Sequence, residues 1–116
     1  MTLAQGEVWW ADLGEPVGSA AGFRRPVVVV QGDAFNRSAI GTVVCVPVTS
    51  NLEWSGAPGN VELRPRDSGL SKPSVANVSQ ISALDRGVLV ERVGRVPAAK
   101  LDLILRGIDL MLGRAG

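Results

Sequence analysis

Apolar residues in this chain come in short runs separated by glycine, proline and polar breaks, the pattern of a small β-rich domain. Gly6 to Leu13 reads as a first strand with Val8, Trp10 and Ala11 turned inward. Trp9 and Trp10 straddle its two faces, which assigns one to the core and the other to an interface or groove. Gly14 to Arg25 carries three glycines, a proline and small residues, has little to pack with, and reads as a loop. Pro26 to Gln31 contains Val27-Val28-Val29-Val30, which predicts a strand buried on both faces. Asp33 to Ser38 is a turn or a single helical turn, because Asp, Asn and Ser bond their own backbone. Thr42 to Val48 is a third buried strand.

The pattern then loosens. Thr49 to Asn60 is loop-like and carries Trp54; Val61-Glu62-Leu63 alternates as a short strand; Arg64 to Ser74 is polar. Ser74 to Ala83 is anchored by Val75, Val78 and Ile81 and makes one or two strands. Val88 to Val96 makes another, with Glu91 and Arg92 outward. From Pro97 the period changes: Leu101, Ile104, Leu105, Ile108, Met111 and Leu112 share one helical face. Pro97 suits the first turn and Gly113 the position just past the end. Gly107 weakens this helix by roughly 1 kcal/mol relative to alanine, so tertiary packing must hold it. Leu103 and Leu110 lie off the stripe and point to a second contact. The order predicts one domain, 1–116, mainly β with a C-terminal helix (α+β): a compact barrel of six or seven strands closed by an amphipathic cap.

Composition narrows the chemistry. At 116 residues with 46% apolar content, the chain fills one core and no second one. No apolar run approaches the roughly 20 residues that span a bilayer, and no signal-peptide pattern opens the sequence. The lone Cys45 excludes a disulfide framework and fits a reducing cytoplasm. Histidine is absent, which removes the commonest general base and metal ligand; the single cysteine argues further against a zinc site, and no Asp/Glu cluster suggests magnesium. Twelve basic and eleven acidic residues give a charge of +1, so any nucleic-acid claim rests on where charges lie.

One place stands out. Gly22-Phe23-Arg24-Arg25-Pro26 sets two arginines at the mouth of the buried strand, where Pro26 stiffens the entry. A guanidinium fork on such an edge suits phosphate. Val46-Pro47-Val48-Thr49-Ser50 offers hydroxyls from a comparable strand end. Each has a plainer reading: Arg25 pairing with Asp12 or Glu7, and Thr49 bonding its own backbone in a turn.

These residues carry a resemblance. Gly6-Glu7-Val8-Trp9-Trp10-Ala11-Asp12-Leu13, Gly18-Ser19, Arg25-Pro26-Val27-Val28-Val29, Asn36-Arg37, Val46-Pro47-Val48-Thr49, Ser74-Val75 leading to Gln80-Ile81, and Val93-Gly94-Arg95-Val96 together resemble the MazF/PemK-type toxins of bacterial toxin–antitoxin pairs. The resemblance spans nearly the whole chain. It implies an SH3-like small barrel of the MazF/PemK and CcdB type, a homodimer, and a sequence-specific, metal-independent, ribosome-independent endoribonuclease acting on single-stranded mRNA. It assigns catalysis to Arg25 and Thr49, with 2′,3′-cyclic phosphate and 5′-hydroxyl ends, needs no cofactor, and implies inhibition by a cognate antitoxin with an acidic, partly disordered C-terminal segment.

In such a cleavage the 2′-hydroxyl attacks its neighbouring phosphorus, and donors aimed at the charge that builds on the phosphoryl oxygens are the largest catalytic contribution. Arg25, with a pKa above 12, serves as electrostatic stabiliser and proton donor rather than base. Some relatives carry Glu-Gln after the loop's Gly-Ser; here those positions are Ala20-Ala21, so that carboxylate is missing. Around the pair, Arg24 adds a cation, Phe23 and Trp54 offer stacking surfaces, Ser50 a hydroxyl, Asn36 and Gln80 amides for bases or sugar, and Arg37, Arg64, Arg66, Lys72 and Arg86 phosphate contacts. Trp54 equally suits a protein contact. Two other functions fit the same barrel: a non-enzymatic toxin that poisons DNA gyrase, and a catalytically silent RNA-binding domain.

Overall fold

The computed structural model describes residues 2–15, 18 and 23–114. Its seven strands are β1 (Glu7–Asp12), β2 (Arg24–Val29), β3 (Thr42–Thr49), β4 (Val61–Leu63), β5 (Ser74–Ala76), β6 (Ser82–Asp85) and β7 (Leu89–Arg95), with helices α1 (Asp33–Asn36), α2 (Pro65–Ser68) and α3 (Ala98–Met111). The sheet runs β4-β5-β3-β2-β1-β7, and β6 also pairs with β3. β3 organises it: β2 lies on one edge, while β6 takes Thr42–Cys45 and β5 takes Val48–Thr49 on the other. Two register shifts between β1 and β7, at Val8/Trp9 and Trp10/Ala11, are bulges that increase twist and bend the sheet around its core.

The valine runs are continuous because β2 and β3 are buried on both faces. Val28, Val30, Val46 and Val48 join Val8, Leu63, Ile104 and others in one apolar cluster; Val27, Val29, Val43 and Cys45 join Leu3, Ala11 and Leu89 in a second. Cys45 is fully buried, and burial pushes its thiol pKa up to about 12, so it stays protonated and inert.

Helix α3 closes the first cluster through Ile104 and Ile108. Gly107 explains itself here. The helix backbone meets the Gly59 backbone at that point, and a Cβ on Gly107 would overlap the Gly59 carbonyl oxygen. Met111 and Leu112, on the expected stripe, run past the core and are exposed, as are Leu103 and Leu110. Leu103 and Leu110 instead line a shallow groove against Gly59–Glu62.

Short elements appear where the pattern read only loop. Leu52–Gly56 is a 3-10 turn, and Val78–Gln80 is another, inside the stretch expected to be strand, where it separates β5 from β6. Helix α2 is made by one fork: the buried Asp67 carboxylate accepts Arg64 Nε at 2.9 Å, Arg64 Nη2 at 3.0 Å and the Arg64 N–H at 2.9 Å. The Arg64 guanidinium, helped by the backbone N–H and by Lys100 against the opposing effect of burial, lowers the Asp67 pKa to about 2. Among the described residues no helix is long and apolar enough to cross a membrane.

Candidate active site

The ladder between β2 and β3 pairs Val29 with Cys45, Val28 with Val46 and Val27 with Pro47, and there it stops. The next rung would set Pro26 against Val48, and Pro26 has no N–H to contribute. β3 turns to β5 instead, pairing Val48 with Ala76 and Thr49 with Val75, while β2 stays on β1 through Ala11–Arg25 and Asp12–Arg24. The two strand ends part, one carrying Arg25 and the other Thr49. Alternation sets both residues on the sheet face of Val27 and Pro47. Both are half-buried.

The Thr49 hydroxyl oxygen accepts the Asn51 N–H at 3.1 Å. The plainer reading of Thr49 as a turn residue is therefore part of its structure. That bond uses a lone pair and leaves the hydroxyl hydrogen to donate elsewhere. Of the two carboxylates considered for Arg25, Glu7 sits at the other end of β1 and accepts Arg92 Nε at 2.7 Å, Trp9 Nε1 at 3.2 Å and the Ala4 N–H at 2.9 Å. Burial raises the Glu7 pKa, but these three donors outweigh it and hold the carboxyl below its ordinary value.

Phe23 enters β2 with φ at +60°, a left-handed conformation that is a genuine outlier for a bulky side chain. Its N–H bonds the Gly14 carbonyl, its carbonyl accepts the Leu13 N–H at 2.8 Å, and its ring is 62% exposed. Such strain costs of order 1–3 kcal/mol and clusters at functional sites. The loop's candidate positions Ala20 and Ala21 lie outside the described residues.

Phe23, Arg24, Arg25, Trp10, Ser50 and Lys72 line a hollow of about 500 Å³ at the strand ends. Among the described residues its lining holds three cations and no carboxylate. Arg24 lies 5.4 Å above the Trp10 ring and its Nη2 is 3.2 Å from Glu91 Oε1, both ends exposed. Trp10 was legible as one of two tryptophans on opposite strand faces, but its service as the shelf beneath Arg24 was not. Gln80 lines a different hollow, of about 650 Å³, on the Val27–Pro47 face.

Other expected contacts fall elsewhere. Asn36 is buried, its amide nitrogen donating to the Gln31 carbonyl at 2.9 Å and to Asp33 Oδ1 at 3.2 Å while its oxygen accepts Gln31 Nε2 at 3.0 Å. It ties α1 to the end of β2, has no edge to offer a base, and is a structural residue. Arg37 is exposed beside it, with the length of β2 between it and Arg25. Trp54 is 50% exposed on the 3-10 turn and lines neither hollow. Arg64 belongs to Asp67, and Arg86 donates to the Ile40 and Phe35 carbonyls at 2.8 and 3.1 Å. Arg66 is exposed on α2.

Residues 4–112 match the family model described as PemK-like, MazF-like toxin of type II toxin–antitoxin system. Endoribonuclease MazF6 of Mycobacterium tuberculosis is 41% identical over 112 residues, covering 97% of this chain and 98% of that protein. Endoribonuclease EndoA of Bacillus subtilis is 29% identical over 97% of this chain and 96% of its own length. Among solved structures, MazF of Deinococcus radiodurans superimposes with a TM-score of 0.81 at 26% identity, covering 97% and 98% of the two chains. A mycobacterial endoribonuclease in complex with its cognate antitoxin does so with a TM-score of 0.74 at 27% identity, covering 97% and 94%.

Proposed function

The chain belongs to the PemK-like, MazF-like toxins of type II toxin–antitoxin systems, and from that membership we propose that it is a metal-independent endoribonuclease that cuts single-stranded mRNA at a short sequence. The observation that carries the site assignment is the parting of β2 and β3 at Pro26, which leaves Arg25 and Thr49 on neighbouring strand ends and one sheet face.

A phosphodiester seated between those ends meets a charged fork and a hydroxyl donor. As the 2′-oxygen attacks phosphorus, negative charge builds on the non-bridging oxygens and is met by Arg25, with Thr49 donating to the same group. The bond to the 5′-oxygen breaks, leaving a 2′,3′-cyclic phosphate; the departing oxygen, hydrogen-bonded by Arg25, takes a proton from water and leaves as a 5′-hydroxyl. The chain has no histidine, so the 2′-proton leaves to water or to the phosphate itself. The cationic hollow holds flanking phosphates through Arg24 and Lys72, and Phe23 offers a face on which a splayed base stacks. Duplex RNA, with its bases already stacked, cannot use that face.

A cognate antitoxin partner is supported by the similar mycobacterial endoribonuclease solved with its own. An acidic, apolar antitoxin tail over Arg24 and Arg25 would exclude RNA from the hollow. A homodimer in the cytoplasm completes the reading, with the exposed Leu103 and Leu110 among the residues a second copy would cover. The relatives named as endoribonucleases favour cleavage over gyrase binding or silent RNA binding.

The test is to incubate the protein with a long unstructured RNA in excess EDTA and map every new end. Cuts at one recurrent motif, with 5′-hydroxyl ends and none from Arg25→Ala, are expected. No cuts from the folded protein would overturn the nuclease reading.

A further inference from the structure

Arg24 does not stand at the cationic hollow by itself. Register sets Asp12 opposite Arg24 on one side of β1, and Glu91 opposite Trp10 on the other. Alternation puts Asp12 and Trp10 on one face, so Arg24, Trp10 and Glu91 share that face on three neighbouring strands. The Arg24 side chain crosses from β2 over the Trp10 ring of β1, at 5.4 Å, and its Nη2 meets Glu91 Oε1 of β7 at 3.2 Å. The two strand spacings it bridges amount to roughly 10 Å. Glu91 owes its place to a bulge. Leu89 faces Ala11 and Glu91 faces Trp10, so Val90 is the extra residue, and it is 51% exposed. In a regular ladder Val90 would face Trp10, and Glu91 would lie on the other side of the sheet.

Glu91 is not among the residues that line the hollow. It draws the head of Arg24 towards β7, away from Ser50, which follows β3 on the other side of β2. Both side chains are more than half exposed and share a single hydrogen bond, so the pair is weak enough for an arriving anion to replace. We propose that Glu91 is a positioning residue acting through Arg24: a built-in counter-ion that holds the guanidinium over Trp10 until a phosphate of the RNA strand displaces it, and that thereby sets RNA affinity. The proposal rests on the reading of the hollow as the seat of RNA phosphates. Carboxylate and phosphate compete for the same fork of donors, and only one of them is part of the protein. Trp10 serves both pairings, because its ring attracts a guanidinium whichever anion the guanidinium meets. Arg24 is therefore kept in place in the free protein, and each RNA that binds must first break its pair with Glu91.

The experiment measures fluorescence anisotropy of a 2′-O-methyl RNA oligonucleotide, which cannot be cut, so it reads binding whether or not the protein is a nuclease. The wild type, Glu91→Gln, Arg24→Gln and the double variant are titrated across a salt series, and circular dichroism checks that each is folded. Glu91→Gln is expected to bind about threefold tighter at about 50 mM salt. With Arg24 left to neutralise a phosphate in full, the slope of log K against log salt should steepen by about 0.7, so that the gain fades near about 250 mM. In the Arg24→Gln background the same substitution should change affinity by no more than about 1.5-fold, because the two side chains act as one unit. An equal gain in that background would make Glu91 a general negative charge and overturns the proposal. Unchanged affinity and slope overturn it too, and so does weaker binding by Glu91→Gln, which would make the carboxylate a strut that aims Arg24 at RNA. A wild type that binds no RNA overturns it together with the reading of the hollow. Failure of the EDTA cleavage test with the salt-dependent gain intact would remove the nuclease and leave the counter-ion.

Discussion

Val27 stands opposite Pro47 as the last rung between β2 and β3, and one residue beyond it Pro26 denies the ladder its next hydrogen bond. A single imino acid thus stands where the ladder ends between the two strands on which Arg25 and Thr49 are carried. Restoring the missing donor with Pro26→Ala should let the ladder reach Val48. We expect the new amide to be protected in hydrogen exchange and kcat to fall by about tenfold as the gap narrows. An unprotected amide with unchanged kcat would show that the gap is set elsewhere.

Arg25→Ala and Thr49→Val should each lower kcat by about 10²–10³, the usual effect of removing a donor aimed at developing negative charge. Neither side chain is part of the apolar clusters, so the melting temperature should move by no more than a few degrees. A steady-state assay on a single-site RNA, read beside a thermal melt, separates lost chemistry from lost folding.

Phe23→Gly should change two properties in opposite directions. Glycine adopts a φ of +60° without steric cost, so stability should rise by up to about 1 kcal/mol. RNA affinity should fall by about 1–3 kcal/mol if the exposed ring stacks on a base. A melt and an anisotropy titration on the same preparation give both numbers, and a stabilised variant with unchanged affinity would deny the ring its role.

Gly107→Ala should destabilise the protein although alanine is the better helix former. The added methyl meets backbone at Gly59, not a side chain that can swing away. Overpacking of this kind costs about 1–3 kcal/mol, which a thermal melt would register as a fall of roughly 5–15 °C.

The acid limb of stability should follow Asp67 and Glu7. Both have folded-state pKa values below their ordinary ones, Asp67 at about 2. Their contribution is fully present above the unfolded values and is lost as pH falls through the folded ones. For Asp67 the loss runs from near pH 4 down to about 2, where both states are protonated. Asp67→Asn should lower the melting temperature at pH 7 and flatten its dependence below pH 4, because the amide cannot hold the Arg64 fork.

The long elements were legible in the residues and the short ones were not, for physical reasons. Unbroken valine runs announce strands buried on both faces, and the three-four spacing of Leu101, Ile104, Leu105 and Ile108 announces a helix packed along one side. Helix α2 and the Leu52–Gly56 turn are held by local side-chain bonds, the Arg64–Asp67 fork and the Glu53 N–H to Asn51 Oδ1, which leave no periodic trace. At the site, Arg25 and Thr49 stood out through their strand-end positions and the resemblance, whereas Asn36 misled. An amide following a buried strand reads the same whether it reaches outward or, as here, turns in to bond Gln31 and Asp33. Glu91 and Trp10 became visible as the frame of Arg24 only once the sheet had curled them together.

Cys45, buried within β3 with its thiol pKa pushed up to about 12, has a practical consequence. A cysteine introduced on the surface, at Trp54 or Leu103 for example, would be the one thiol that reacts with a maleimide at neutral pH. The native chain is its own unlabelled control. A single fluorophore or spin label placed that way could follow RNA, antitoxin and a second copy as they arrive, with nothing else in the molecule rewritten.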